Sequence, residues 1–225
     1  MNLVIFDCDG TVVDSQHAIV AAMDEAFLSA GLEPPVREAV RNVVGLSLAT
    51  AIGRLLPETA DARLVADLAR RYKTAFGDAR RRPGHREPLF PGVREALHVL
   101  SRRDNVLIGM ATGKSRRGVD AVLEREGLAP LFATIQTADT HPSKPHPSMI
   151  LAAMAEAGSE ARGTVMIGDT TYDIEMARQA GVGAIGVGWG YHSGPALRAA
   201  GARQVIEDGA HLVRALDGLG LEAAS

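Results

Sequence analysis

The stretch MNLVIFDCDGTVVDS, residues 1–15, decides how the chain is read. Leu3, Val4, Ile5 and Phe6 form an apolar run without polar alternation, which predicts a strand buried on both faces. Such a strand delivers Asp7 and Asp9 to the edge of a core. Two carboxylates about 4 Å apart repel by about 4 kcal/mol at an effective dielectric near 20. A compensating charge must therefore come from elsewhere in the chain.

Outward from this strand, Asp14 or Ser15 is placed to cap a helix running to about Ala30, with Gly31 at its stop. Ile19, Ala22, Met23, Ala26, Phe27 and Ala30 share one face of that helix. Helical periodicity continues over 36–44, 46–55 and 62–76. Residues 79–92, ARRRPGHREPLFPG, combine charge, proline and glycine as a linker does, and Arg80, Arg81 and Arg82 read there as a solvated face. Beyond the linker the pattern alternates, with strands expected at 106–111, 134–137, 164–167, 184–187 and 204–206. Helices are expected between them at 92–102, 115–126, 147–158 and 174–181. Alternation of this kind predicts an α/β fold, a parallel sheet with helices on both faces and right-handed crossovers. The first strand belongs to the same sheet if the helical block is an insertion. The expected domains are a core of residues 1–14 and 84–225 and an α-helical domain of residues 15–83.

Composition narrows the function. The 225 residues are 46% hydrophobic, enough for a sizeable core, and a net charge of −3 gives no basic field for nucleic acid or an anionic membrane. Cys8 is the only cysteine, so no internal disulfide is available. No apolar run reaches the length of about 18 residues that a membrane span needs. The opening residues also lack the basic start of a signal peptide, which makes the cytoplasm the expected compartment. Lysine occurs only at 73, 114 and 144, so each one invites an explanation.

Ligands of open parallel sheets bind beyond the carboxyl ends of the strands. Thr112-Gly113-Lys114-Ser115 follows one strand and opens a helix, an arrangement that suits an anion and suits ordinary capping equally. Lys144 lies between Pro142 and Pro145 after the next strand, on a restrained backbone, either as a surface residue or as a presented cation. His141 and His146 flank it and read as loop histidines. After the strand at 164–167 come Asp169 and Asp173. If this strand neighbours the first, up to four carboxylates converge, and their hard oxygens point to Mg²⁺. A cation, a lysine and loop amides together suit a phosphoryl group.

DCDGT (7–11), ATGKS (111–115), Lys144 and GDTTYD (168–173) resemble, in order, the four motifs of the haloacid dehalogenase superfamily. The likeness covers the whole chain, since the helical insert is similar to the small α-helical cap of that superfamily, and the nearest group is the phosphoglycolate phosphatase-like hydrolases. The resemblance implies a Rossmann-like core with an inserted cap, and Mg²⁺-dependent phosphomonoester hydrolysis through an aspartyl-phosphate. The implied substrate is a small phosphorylated metabolite, with phosphoglycolate among the candidates. It further implies Asp7 as nucleophile and Asp9 as general acid, then base. Thr112 would bind a phosphoryl oxygen, and Lys144 would neutralise charge on nucleophile and phosphoryl group. Asp7, the Asp9 carbonyl and Asp169 would hold the metal, supported by Asp173. The amides of Cys8, Asp9 and Gly113 would line the phosphoryl pocket. The Cys8 thiol, flanked by carboxylates, is expected to have a raised pKa and is no nucleophile.

Other chemistries of the superfamily fit less well. Asp9 argues against the dehalogenases, and Lys73, expected to face solvent, argues against a Schiff-base phosphonoacetaldehyde hydrolase. A β-phosphoglucomutase-like sugar phosphomutase shares every core motif, and a non-catalytic binding protein on the same scaffold is a further alternative. Cap residues near Arg41, Gly45–Ser47 and Arg54 are expected to set specificity. Hinges for cap movement are expected at 12–15 and 83–88.

Overall fold

The computed structural model describes residues 1–84 and 86–219. His85 of the expected linker and residues 220–225 of the expected core lie outside the described residues. The first strand, β1 (Asn2–Phe6), leads into α1 (Gln16–Ser29), α2 (Arg37–Val43), α3 (Leu48–Leu55) and α4 (Ala62–Arg81). Then follow α5 (Val93–Leu100), β2 (Val106–Thr112), α6 (Arg116–Glu126), β3 (Phe132–Thr137), α7 (Ser148–Ala157) and β4 (Thr164–Gly168). The chain continues through α8 (Thr171–Gln179), β5 (Gly183–Val187), α9 (Gly194–Ala200), β6 (Gln204–Ile206) and α10 (Leu212–Asp217).

All strands pair in parallel, in the order β3-β2-β1-β4-β5-β6. The side chains of β1 alternate between two apolar layers, as a strand buried on both faces must. Val4 and Phe6 pack with Leu97 of α5, Leu123 of α6 and Leu216 of α10. Leu3 and Ile5 pack on the other side with Ile150 of α7, Ile174 of α8 and Leu197 of α9. The result is the expected α/β sandwich with helices on both faces.

Helices α1–α4 gather around a separate apolar cluster that includes Ile19, Phe27, Val40, Ile52 and Leu68. The chain enters and leaves this block through two segments that hydrogen-bond each other. Asp14 N–H donates to the Pro88 carbonyl at 2.8 Å, and Phe90 N–H to the Val12 carbonyl at 3.1 Å.

Two local expectations are corrected. Helix α4 runs on to Arg81, so the first residues of the expected linker are helical. Ser15 stands at the N-cap of α1 but makes no side-chain capping bond, because its hydroxyl donates to Asp9 Oδ1 at 2.6 Å instead.

Candidate active site

The strand order reverses at β1: β2 and β3 lie on one side of it, and β4 to β6 on the other. A crevice opens at such a point, beyond the carboxyl ends of the strands. Asp7 leaves β1 and Asp169 leaves β4 into that crevice. With Asp173 they form a buried group whose carboxylate oxygens lie within 4.8 Å of one another. Asp169 is fixed by the Thr11 hydroxyl, which donates to Oδ1 at 2.8 Å, and by Tyr191 N–H, which donates to Oδ2 at 2.9 Å. Gly10, at φ 86°, lets the backbone pass close by, since a Cβ there would sit 2.3 Å from Asp169 Oδ2. Asp173 closes a capping box on α8, its Oδ2 accepting from Thr170 N–H at 3.0 Å and from the Thr170 hydroxyl at 2.7 Å.

Lys144 supplies the charge that these carboxylates lack. Its side chain is fully buried, with Nζ 2.6 Å from Asp173 Oδ1 and 2.9 Å from Asp7 Oδ1. Burial opposes its charge, but Asp173 and Asp7 hold its pKa above the ordinary lysine range. Burial pushes the Asp7 carboxyl up to about 7, against the pull of Lys144 and with the repulsion of Asp173. Burial and the same two carboxylates raise Asp169 as well. Neither oxygen of Asp7 accepts a directed hydrogen bond among the described residues; Lys144 meets Oδ1 only as an ion pair. A buried carboxylate left in this state is the clearest mark of a site that expects a further cation or a ligand.

Asp9 belongs to a different circle. It is not one of the three carboxylates grouped around Asp7, and its Oδ1 accepts from Lys114 Nζ at 2.6 Å and from the Ser15 hydroxyl at 2.6 Å. Lys114 also reaches Glu87 Oε1 at 3.2 Å. Glu87, almost wholly buried, receives Arg80 Nε at 2.9 Å. Burial would raise the Glu87 pKa, yet the charges of Lys114 and Arg80 bring it down to about 2. Arg80 is therefore not the solvated residue expected from its run: it lies over the Phe76 ring at 4.9 Å and pairs with Glu87. Arg81 fits that reading, being exposed and paired with Asp78.

The helices α1–α4 cover these groups and leave a cavity of about 780 Å³. Asp7, Asp9, Thr112 and Lys114 line its floor, and Met23, Val40, Val44, Leu46 and Phe76 contribute to the wall opposite. The loop at Gly45–Leu46 sits directly on the second motif, because a Cβ on Gly113 would come within 2.5 Å of the Leu46 carbonyl oxygen. Ser47 N–H donates to Ser143 Oγ at 2.8 Å, tying the same loop to the Lys144 segment.

Arg41 and Arg54, expected near the specificity surface, do not line the cavity. Arg54 donates to the Tyr172 hydroxyl at 2.9 Å and Arg41 to Gln16 Oε1 at 2.8 Å. Lys73 and Arg117 do line it, both exposed, one from α4 and one from α6. Thr112 is buried at the floor and its hydroxyl accepts Lys114 N–H at 3.2 Å. His141 bonds Ser148 and Gln136, as a loop histidine does. Cys8 is buried, and burial, followed by the Asp9 charge, raises its pKa.

Sequence reading missed Glu87, Thr11 and Tyr191. Glu87 hides in the charge-rich linker. Tyr191 comes from the loop after β5, for which no strand-end motif was apparent.

Residues 4–187 match the family described as haloacid dehalogenase-like hydrolase. A relative from Dickeya dadantii named "Probable phosphatase IndB" is 38% identical over 96% of this chain and 94% of its own length. A phosphoglycolate phosphatase of Pseudomonas putida is 34% identical over 92% of this chain and 76% of its own. Among solved structures, a hydrolase from Pseudomonas syringae superposes with a TM-score of 0.83 at 27% identity, covering 97% of this chain and 99% of its own. Aspartates at the ends of two neighbouring strands, the buried lysine between them and the helical cover agree with these matches, and the chain belongs to the haloacid dehalogenase-like hydrolase family.

Proposed function

We propose that the chain is a Mg²⁺-dependent phosphomonoester phosphatase that works through an aspartyl-phosphate on a small phosphorylated metabolite. The observation that carries this reading is Asp7, a buried carboxylate without a directed hydrogen bond, beside Lys144 and facing a covered cavity. Asp7 attacks phosphorus, Asp9 protonates the leaving oxygen and then activates water for the second step. Lys144 offsets charge on nucleophile and phosphoryl oxygens. Thr112 and the amides of Cys8, Asp9 and Gly113 bind those oxygens.

The acidic group fits a hard divalent cation. Asp7, the Asp9 carbonyl and Asp169 would hold it. Asp173, already engaged by Lys144 and Thr170, would support that shell. A bound Mg²⁺ supplies Lewis-acid neutralisation of the phosphoryl charge. Residues 15–83 act as the cap that admits substrate and excludes water, moving about the crossings at 12–15 and 83–88. Among the described residues no helix is long and apolar enough to cross a membrane. We assign the enzyme to the cytoplasm, where its single buried thiol needs no oxidising environment.

The test is phosphate release from phosphoglycolate, sugar phosphates and nucleotides with Mg²⁺, beside EDTA and Asp7→Asn. Turnover should fall at least about 10³-fold in both controls, consistent with the loss of a nucleophile or of metal catalysis. Turnover that survives Asp7→Asn would sink the aspartyl-phosphate. Isomerisation of a sugar phosphate without phosphate release would favour the mutase.

A further inference from the structure

We propose that Glu87 is the positioning residue for the general acid: it holds Lys114 against one oxygen of Asp9 and, through Arg80, makes that hold depend on the seat of the cap. The inference rests on the phosphatase reading, in which Asp9 serves the leaving group.

The geometry of Asp9 is one-sided. Lys114 Nζ and the Ser15 hydroxyl both donate to Oδ1, each at 2.6 Å, and Oδ2 takes no hydrogen bond among the described residues. Two donors converging on one oxygen fix the rotation of a carboxylate. They leave Oδ2, in a side chain that lines the cavity, as the atom that meets the leaving group. In the first step a carboxylate oxygen of Asp7 bonds to phosphorus and the ester P–O bond breaks. The electron pair of that bond stays on the leaving oxygen, which takes the proton carried by Asp9 Oδ2.

A lysine is a poor positioner by itself, because its four-carbon stem and rotating ammonium hold no fixed direction. Lys114 is fixed from behind. Glu87 Oε1 lies 3.2 Å from Nζ, and the Phe76 ring lies 5.2 Å from it. The side chain of Glu87 is fully buried, so its charge acts at low dielectric on the groups beside it. Arg125 donates to the Glu87 carbonyl at 2.7 Å, which anchors the backbone of this residue.

The chain of contacts then leaves the core. Glu87 Oε2 accepts from Arg80 Nε at 2.9 Å, and Arg80 lies on the last turn of α4 over Phe76, a ring of the same helix. Glu87 and Phe76, which flank the Lys114 ammonium, thus sit on or beside the final turns of α4, at the segment where the chain returns to the core. A displaced α4 would loosen Glu87 and Phe76 together, and with them the lysine that orients Asp9.

Leaving-group dependence separates this role from a general structural one. An alkyl phosphate needs a proton on its departing oxygen, whereas p-nitrophenyl phosphate releases a stable phenolate. The value of kcat/KM reports steps up to phosphorylation of Asp7. It should therefore be measured for both esters in wild type, Glu87→Gln, Arg80→Met, Asp9→Asn and the Asp9→Asn/Glu87→Gln pair. Glu87→Gln should lower the alkyl value about 30-fold and the aryl value less than about threefold, the order expected when a catalytic group is misplaced rather than removed. Arg80→Met should shift the ratio in the same direction by about threefold. In the Asp9→Asn background Glu87→Gln should cost nothing more, because both changes act through one carboxylate.

Equal losses on the two esters in Glu87→Gln, with Arg80→Met leaving the ratio unmoved, would overturn the role of Glu87 alone. Multiplicative losses in the double variant would do the same. A ratio unaltered by Asp9→Asn would instead overturn the general-acid reading, and the role of Glu87 with it. Matched thermal unfolding of Arg80→Met and wild type would show that its ratio shift does not arise from a lost fold.

Discussion

Two buried lysines divide the site between them, and their surroundings differ more than their chemistry. Lys144 stands between Asp7, just past β1, and Asp173, in the first turn of α8, both parts of the α/β core. Lys114 stands between Asp9 and Glu87 and is bounded by Phe76 of α4. The first pair of contacts is set once the core folds. The second is complete only when α4 is seated. On the proposed mechanism, the first lysine would serve the phosphoryl pocket and the second a proton-transfer group whose geometry would follow the seat of α4.

The comparison breaks first at Lys144. Lys144→Met should lower kcat/KM by about 10²–10³ on alkyl and aryl esters alike, since charge on the phosphoryl group is common to both. It should also cost roughly 3–5 kcal/mol in urea denaturation, because two buried carboxylates lose their partner. A loss confined to alkyl esters would mean that Lys144 serves the leaving group, and the division of labour would fail.

A second difference lies in acid. The Glu87 carboxyl is held at about 2, below its ordinary 4.5, so its contribution to stability is fully present above pH 4.5. That contribution is lost as pH falls through about 2. The gap in unfolding free energy between wild type and Glu87→Gln should accordingly be widest above pH 4.5 and close toward pH 2. Urea titrations across this window measure it, and a gap that widened in acid would contradict the ion-pair account.

The smallest effect is expected at the opposite edge of the cover. Arg54 donates to the Tyr172 hydroxyl and lies 5.3 Å from the centroid of its ring, joining α3 to α8 at an exposed position. Arg54→Ala should cost about 0.5–1 kcal/mol by thermal unfolding and leave the alkyl-to-aryl ratio as in wild type. A shift of that ratio would show that any contact between cap and core reaches Asp9, not only the one through Glu87.

What could be read from the chain is local. Leu3–Phe6 is buried on both faces because its neighbours in the sheet lie on both edges and helices cover both sides, and an unbroken apolar run is the direct trace of that. The aspartates at the strand ends, the strand-to-helix turn at Gly168–Asp173 and the scarcity of lysine were likewise visible without coordinates. Helices α9 and α10 were not, since seven and six residues span too few turns for periodicity to register. Propensity makes either Asp14 or Ser15 a cap; Ser15 takes the N-cap position, but the tertiary fold brings Asp9 within reach and the charged acceptor takes its hydroxyl. Arg80 was assigned to solvent by its neighbours, yet Phe76 lies one helical turn behind it and Glu87 beyond the end of the helix, and neither relation is part of a charge run.

The sequence by itself determined the α/β class and the carboxylates at the ends of the first and fourth strands, and it marked Lys144 as a lysine to be explained; its pairing with Asp7 and Asp173 came with the fold. What the sequence determined is written as residue type and spacing within a single element or the loop that follows it. Only the tertiary structure decided that Asp9 parts company with Asp7, and that Lys114, Glu87 and Arg80 form a line from the acid to the cap. Those groups come from four separate segments, and charges that are solvated in an extended chain acquire fixed partners only where folding removes the water between them.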